Sequence, residues 1–471
     1  MSIPLFIVLA YIAILFLISF WAEKRARGGV DDFVLAGRQL TTSLVTVSIV
    51  GLAIGGASTI GVAEQAYRVG LSAGWYTAAW GIGAISMGLL VAKKYRELRI
   101  STIPELLERY YDKKAMAIGV LCQIIIQLVI TSLQYIAGGT ILHALLPDIF
   151  SVTTGMLTSA VVFIGITFIG GMWSASLSNI LNVLLIYVGI IGATIASVIQ
   201  AGGMEKIVAK LPPAIPYTSL IDGVGPLGIF GWILVLVTVN ISLQSIIQIS
   251  LGAKNVETAQ RGFIIGGLMM LPIGFVCALM GIIAKASFPN VVAASALPMV
   301  IMSLHPVLSG ITLAALWAAD VSTACNLLLS SATLFSRDIY KPFVNPAATD
   351  QRLLFVTKGS VLFLGAMTLV LAMTVSGIIQ TLMVGLSLTA AFSVVVLFTL
   401  FVPGLCRKNS AFYTILAGLI TLIAWQTLPA IRLFPHVIYM EWAVCTGVFI
   451  LVYLLDSSPL KVATEASETL K

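Results

Sequence analysis

Charge is scarce in this 471-residue chain: Asp, Glu, Lys and Arg together make up 10% of it, against roughly a quarter in soluble globular domains. Histidine is rarer still, with His143, His305 and His436 scattered along the sequence and forming no cluster. No His/Glu zinc motif and no Ser/His pairing falls in the apolar stretches, so an enzyme is not expected. The five cysteines, Cys122, Cys277, Cys325, Cys406 and Cys445, lack metal-ligand spacing. Most lie in or beside apolar runs, which argues against a disulfide framework. The net charge of +7 is spread over short loops. That is a pattern of membrane topology and not of nucleic-acid binding.

What is abundant is apolar: 59% of residues, with a mean hydropathy of +1.06. No soluble fold of this size could bury so much, so the chain reads as an all-α polytopic protein partnered by a lipid bilayer. About thirteen segments are long enough to cross. They lie near 3–22, 41–67, 71–92, 115–141, 152–170, 176–200, 227–250, 260–284, 308–335, 353–374, 377–402, 411–428 and 437–455. The first lacks a basic leader and a small-residue cleavage site, so it reads as a retained span.

If the spans alternate, the basic loops all fall on one side: Lys24 to Arg38, Lys93 to Lys114, Lys254/Arg261, Arg337 to Arg352 and Arg407/Lys408. The opposite loops hold only Arg68, Lys206, Lys210, Lys285 and Arg432. The expectation is a multi-pass cell-membrane protein with its N-terminus outside and its C-terminus in the cytoplasm. Residues 101–111, STIPELLERYY, read as a capped interfacial helix. The tail 457–471 is polar and reads as disordered.

Three polar interruptions stand out. In 41–67, glycines at 51, 55, 56 and 61 with Ser58 and Thr59 weaken the helix in its middle. An unwound turn at membrane depth frees carbonyls that something must coordinate. In 311–341, Ala319, Asp320, Ser322, Thr323 and Asn326 interrupt an apolar run. The two hydroxyls, with the Ala319 carbonyl one turn before Thr323, would suit a small hard cation such as Na⁺. Close helix packing is the alternative for both stretches. The third lies in 227–250, where Asn240, Ser242, Gln244 and Gln248 break up the run.

The first and third of these open two similar five-span units. Because five is odd, the second unit enters the membrane inverted. The chain then divides into an N-terminal helix and loop (1–40), a first repeat (41–200) and an external loop (201–226). A second, inverted repeat (227–402), two further helices (403–456) and the tail (457–471) complete it.

DDFVLAGRQL before the first broken span, STIPELLERYY, TAQRG and LFVPGLCRKNSAF, and above all ADVSTACNLLLSSATLFSRDIYK, resemble the sodium:solute symporter family over roughly 30–410. That resemblance implies a LeuT-type inverted repeat, with the N-terminal helix outside a ten-helix core. It also implies Na⁺-coupled import of a small organic solute, an amino acid, carboxylate or similar. Carried over by position, the family's shared Na⁺ site falls on the carbonyls of Gly51, Ile54 and Ala319 and the hydroxyls of Ser322 and Thr323. Some members bind a second Na⁺ through further hydroxyls and an Asp. Here those positions hold Cys325, Asn326 and Asn179, so one Na⁺ is expected. The sugar-gate positions hold Val239, Asn240 and Met270, which disfavours a sugar.

Candidate solute-binding groups are the backbone around Gly55 and Gly56, the polar face Gln123, Gln127, Thr131 and Gln134 with Ser132 and Tyr135 beside it, and Asn240 and Gln244. A hydrogen-bonded seam between helices is the alternative for these side chains. Asp320 reads as the one acid well inside an apolar span, a candidate for pairing with the ion or carrying a proton. Proton-coupled import through Asp320 and a transporter-like sensor are the competing functions. The sensor is disfavoured because no kinase-sized domain follows residue 456.

Overall fold

A backbone in hydrocarbon must satisfy its own N–H and C=O groups, and this chain does so with helices. The computed structural model describes residues 3–98, 100–374 and 378–460. Most of the expected tail therefore lies outside the described residues. Among these residues no strand forms; a single backbone bridge joins Leu40 to Ala253.

Among the described residues, ten helices are long and apolar enough to cross a membrane, or up to twelve if each of two bent pairs is one span. The pairs are Thr42–Ala53 with Ala57–Val69, bent by 59°, and Pro226–Ser242 with Gln244–Gly252, bent by 51°. One of the ten, Val152–Gln200, has 49 residues. At 1.5 Å per residue that is about 74 Å, more than twice the hydrocarbon thickness. Gly171 breaks it, with φ 51° and ψ −134°. A side chain there would meet the Phe33 carbonyl at 2.3 Å. Its two arms, counted separately, would make thirteen segments of spanning length among the described residues.

Burial grades from the centre outwards. The helix Pro306–Leu334, with its continuation to Val344, has 83% of its apolar window buried. For Ile3–Glu23 the figure is 28%, and for the last helix, Val437–Leu455, it is 33%. The N-terminal helix nevertheless packs straight onto the central one. Pro4 and Ile7 close over Gly310, and Tyr11 meets Trp317 edge to face.

The interfacial helix forms at Ile103–Tyr110, and the sequence shows why. Thr102 Oγ1 accepts the Glu105 N–H at 3.1 Å, and the Glu105 carboxylate accepts the Ser101 N–H at 2.7 Å. The Glu105 donor of the first turn and the Ser101 donor just before the cap are thereby satisfied, with Pro104 inside that turn.

Candidate functional site

The first broken span leaves its helix at Ile54, whose φ −91° and ψ 77° lie outside the helical region. In an unbroken helix the Ser58 N–H would bond to the Ile54 carbonyl; it bonds to Gly55 instead, at 3.0 Å. The Gly56 N–H leaves the helix too and donates to Gln134 Oε1 at 2.9 Å. Ser58 and Thr59 turn their hydroxyls back onto the Ala53 and Gly55 carbonyls. Glycine at 55 and 56 is dictated by crowding. A Cβ on Gly55 would stand 2.5 Å from Thr323 Oγ1, and one on Gly56 would stand 2.7 Å from Asp320 Oδ1.

The central helix meets this break face on. Ser322 Oγ donates to the Gly51 carbonyl at 2.6 Å and lies 2.9 Å from that of Ala319. Thr323 Oγ1 lies 3.2 Å from the Gly51 carbonyl, 3.0 Å from Leu52 and 3.1 Å from Ala319. Two hydroxyls and three carbonyls thus converge from segments some 270 residues apart. Each is a neutral hard oxygen, the donor type that small hard cations take. Asn179 packs against Gly51, its Oδ1 accepting from Asn182, which in turn accepts the Tyr11 hydroxyl at 2.7 Å. Asn326 is occupied with the Ser322 carbonyl and Cys325 with that of Phe163.

Asp320 is fully buried behind the broken segment, and neither of its oxygens meets a donor in hydrogen-bond geometry. It is not the only acid inside a span. Glu441, in Val437–Leu455, is also fully buried, against Gly418 and Cys445. A lone acid in an apolar run of the last helix gave no signal of its own.

A cavity of about 20 Å³ lies beside the break, room for about one water molecule. Its walls are largely apolar: Tyr76, Trp80, Ile130, Leu243, Leu327 and Leu382. Gln134, Thr323 and the Gly55 backbone supply polarity. Trp80 also lines the cavity, and its Nε1 is buried without an acceptor in hydrogen-bond geometry. Gln134 belongs to the polar helix face read from the sequence; Tyr76 and Trp80 were absent from the residues singled out there. The aromatic pair sits one turn apart on a span rich in small residues, which is the only signal that could have found it.

Of the solute-binding candidates, Gly55 and Gln134 line this cavity, and Gln123, Gln127, Thr131, Asn240 and Gln244 are not among its lining residues. Gln123 clasps both sides of the second break. Its Nε2 donates to the Ser242 carbonyl at 2.8 Å, and its Oε1 accepts the Gln244 N–H at 3.2 Å. The Gln244 side chain ties that break to the interfacial helix through Ile103 N and the Ser101 carbonyl. Thr131, Gln127 and Asn240 donate to carbonyls of their own helices. The second broken span is therefore held open by side-chain amides that stand in for the missing helical bonds.

The family model described as the sodium:solute symporter family matches residues 33–418. A sodium/glucose cotransporter of Vibrio parahaemolyticus is 28% identical over 385 residues, covering 74% of this chain and 70% of that protein. The high-affinity proline transporter PutP of Bacillus subtilis is 25% identical, covering 87% and 89%. Among solved structures, a Na⁺-coupled sialic acid symporter in a substrate-bound outward-open state superposes with a TM-score of 0.83. It is 17% identical and covers 98% of this chain and 99% of its own.

Proposed function

Because this chain belongs to the sodium:solute symporter family and imports a small solute with Na⁺, we propose that the ion is held where the broken span meets the central helix. Its ligands are the carbonyls of Gly51, Ile54 and Ala319 and the hydroxyls of Ser322 and Thr323. One observation carries this reading: both hydroxyls converge on the Gly51 carbonyl. Without the ion, their protons bridge the two helices directly. With it, their lone pairs turn to the cation, which becomes the bridge. Ion occupancy is thereby linked to the position of the broken segment, which also forms the solute cavity. Asn179, a neutral amide beside Gly51, offers no counter-charge for a second cation, and one Na⁺ per solute follows.

The largely apolar lining of the cavity supports a solute with an apolar body and few polar groups. A small amino acid or monocarboxylate fits this better than a sugar, whose ring of hydroxyls would find few partners among Leu243, Leu327 and Leu382. Relatives include both sodium/glucose and proline transporters, so lining chemistry is the discriminating feature. Admission of any such solute requires the walls to part, since ligand pockets commonly exceed about 300 Å³. The basic loops support an external N-terminus, a cytoplasmic C-terminus and the repeat boundaries 41–200 and 227–402.

Buried Asp320, unpartnered beside Gly56, supports a second reading in which a proton replaces or accompanies Na⁺. The test of both readings is uptake into proteoliposomes of labelled amino acids, monocarboxylates and sugars. A Na⁺ gradient and a proton gradient are imposed in turn. Accumulation of a small amphiphilic acid or amino acid with the Na⁺ gradient alone is expected. Proton-driven accumulation without Na⁺, or uptake confined to sugars, would overturn the proposal.

A further inference from the structure

Ahead of its break at Gly171, the helix Val152–Gln200 leaves one stripe uncovered between two neighbours. Ile164 packs into Gly365 of Asp350–Ala372, and Gly165 lies against the ring of Phe16 in Ile3–Glu23. Successive residues turn by about 100° around a helix, so Leu157, Val161 and Phe168 share the stripe between those two contacts. Val161 is 63% exposed and Leu157 50%. The result is an apolar furrow, walled by the N-terminal helix on one side and by Asp350–Ala372 on the other. From Leu157 to Phe168 it runs about 16 Å. That is about half the hydrocarbon thickness, the depth of one leaflet.

Two cations stand at the end of the furrow that faces the basic loops. Lys358 Nζ lies 5.3 Å from the centre of the Phe33 ring and 5.4 Å from that of Phe168. The Arg25 guanidinium lies over Trp21 and Trp173, at 4.7 and 5.1 Å. Phe33 closes over the Gly171 break and Trp173 lies just past it, so both cages are built round one kink. Among the described residues neither cation has a carboxylate within ion-pair distance. The acids beside them in the chain are engaged elsewhere: Glu23 pairs with Arg27, and Asp350 accepts the Val30 N–H at 3.1 Å. An aromatic face attracts a cation through its quadrupole but brings no negative charge. Lys358 is half-buried, about 12 Å along its helix from Asp350, where a charge without a counter-charge is costly. Its stem leans toward the helix N-terminus, the end that carries the basic loops.

We propose that the furrow binds one anionic diacyl phospholipid of the leaflet on the basic-loop side. Its phosphate is held by Lys358 and Arg25, and an acyl chain lies along Phe168, Val161 and Leu157. Charge selects the class: two cations lacking acids match a head group of net negative charge, whereas a zwitterionic head brings its own ammonium against them. Place selects a lipid over a free phosphate ion, since an apolar stripe one leaflet deep leads away from the cations. Bound there, the lipid bridges the N-terminal helix and Asp350–Ala372 across the Gly171 break.

The experiment titrates the purified full chain in detergent with phosphatidylglycerol or with phosphatidylcholine of the same acyl chains. Bound lipid is counted by native mass spectrometry. One phosphatidylglycerol per chain should be retained at concentrations where phosphatidylcholine is lost. Lys358→Met, which keeps the apolar stem, and Arg25→Gln should each weaken retention roughly 5-fold. Lys358→Arg should hold the lipid as the wild type does, and Lys206→Gln, in the loop 201–226, should change nothing. All variants should keep the wild-type Na⁺ concentration for half-maximal thermal stabilisation, which shows an intact fold and separates this site from the ion site. Equal retention of the two lipids would overturn the proposal. So would wild-type retention of phosphatidylglycerol in both Lys358→Met and Arg25→Gln, or its displacement by inorganic phosphate at equal concentration.

Discussion

Replacing Thr323 by alanine removes the hydroxyl that lies within 3.2 Å of three carbonyls, those of Gly51, Leu52 and Ala319. The effect on Na⁺ has two parts of opposite sign. The ion-bound state loses an oxygen ligand to a charge, worth about 1.5–3 kcal/mol. The ion-free state loses a neutral hydrogen bond between helices, worth about 0.5–1.5 kcal/mol, and that loss by itself would favour binding. The difference, about 1–2 kcal/mol, weakens Na⁺ roughly 5- to 30-fold.

Ser322→Ala should behave alike, because Ser322 Oγ reaches the Gly51 and Ala319 carbonyls. Thr323→Ser keeps the oxygen and should stay within about twofold of wild type. The assay is the shift in melting temperature of the purified protein with Na⁺ concentration, at ionic strength fixed with choline. Stabilisation follows ligand saturation and requires no knowledge of the solute. Two results would refute the reasoning: wild-type half-saturation in both alanine variants, or a serine variant as weak as the alanine one.

Gly56→Ala would push a methyl to 2.5 Å from the Ala137 Cβ and 2.7 Å from Asp320 Oδ1, so it should lower stability by about 1–3 kcal/mol and abolish uptake. Gly359→Ala, with nothing within 4 Å, should be neutral or slightly stabilising in the same melting assay. One Na⁺ per solute is expected from reversal potentials; a two-to-one ratio lost in Asp320→Asn would move that acid into the ion path. Cysteine labelling should find 93–114 inside and 201–222 outside, and labelling of 201–222 only after permeabilisation would invert the topology. His436 caps the last helix by accepting the Ile438 N–H at 3.2 Å, and burial pushes it down from 6.5 to about 4. The unfolded chain therefore binds its proton first as pH falls. Its contribution to stability is complete above pH 6.5 and declines as pH falls towards 4. His436→Asn should flatten that part of the melting-temperature profile, and an unchanged slope would show that the acid sensitivity lies elsewhere.

What the sequence by itself determined follows from constraints that act locally. Hydrocarbon forbids unsatisfied backbone, so long apolar runs had to be helices, and glycines clustered at 51, 55 and 56 marked the first break. Thr102, Pro104 and Glu105 wrote the interfacial helix start into consecutive residues. Ser322 and Thr323 stood out because hydroxyls inside an apolar run must face protein, water or an ion.

The small cavity beside the first break was not legible in the same way. A span pattern says that a polar side chain must face inward, but inward includes seams between helices as well as cavities. Gln123 and Gln244 are as buried as Gln134. Yet two of them mend the break at Leu243 while the third lines the cavity. Which does which depends on where helices far apart in sequence cross. The 59° bend of one broken span and the 51° bend of the other set those crossings. A cavity lined by Asp31, Glu105, Glu108, Asp338 and Asp350 has the same origin, since nothing in the spacing of those four stretches brings their carboxylates together. Only the packing of the central helix end against the interfacial helix turns them into one field.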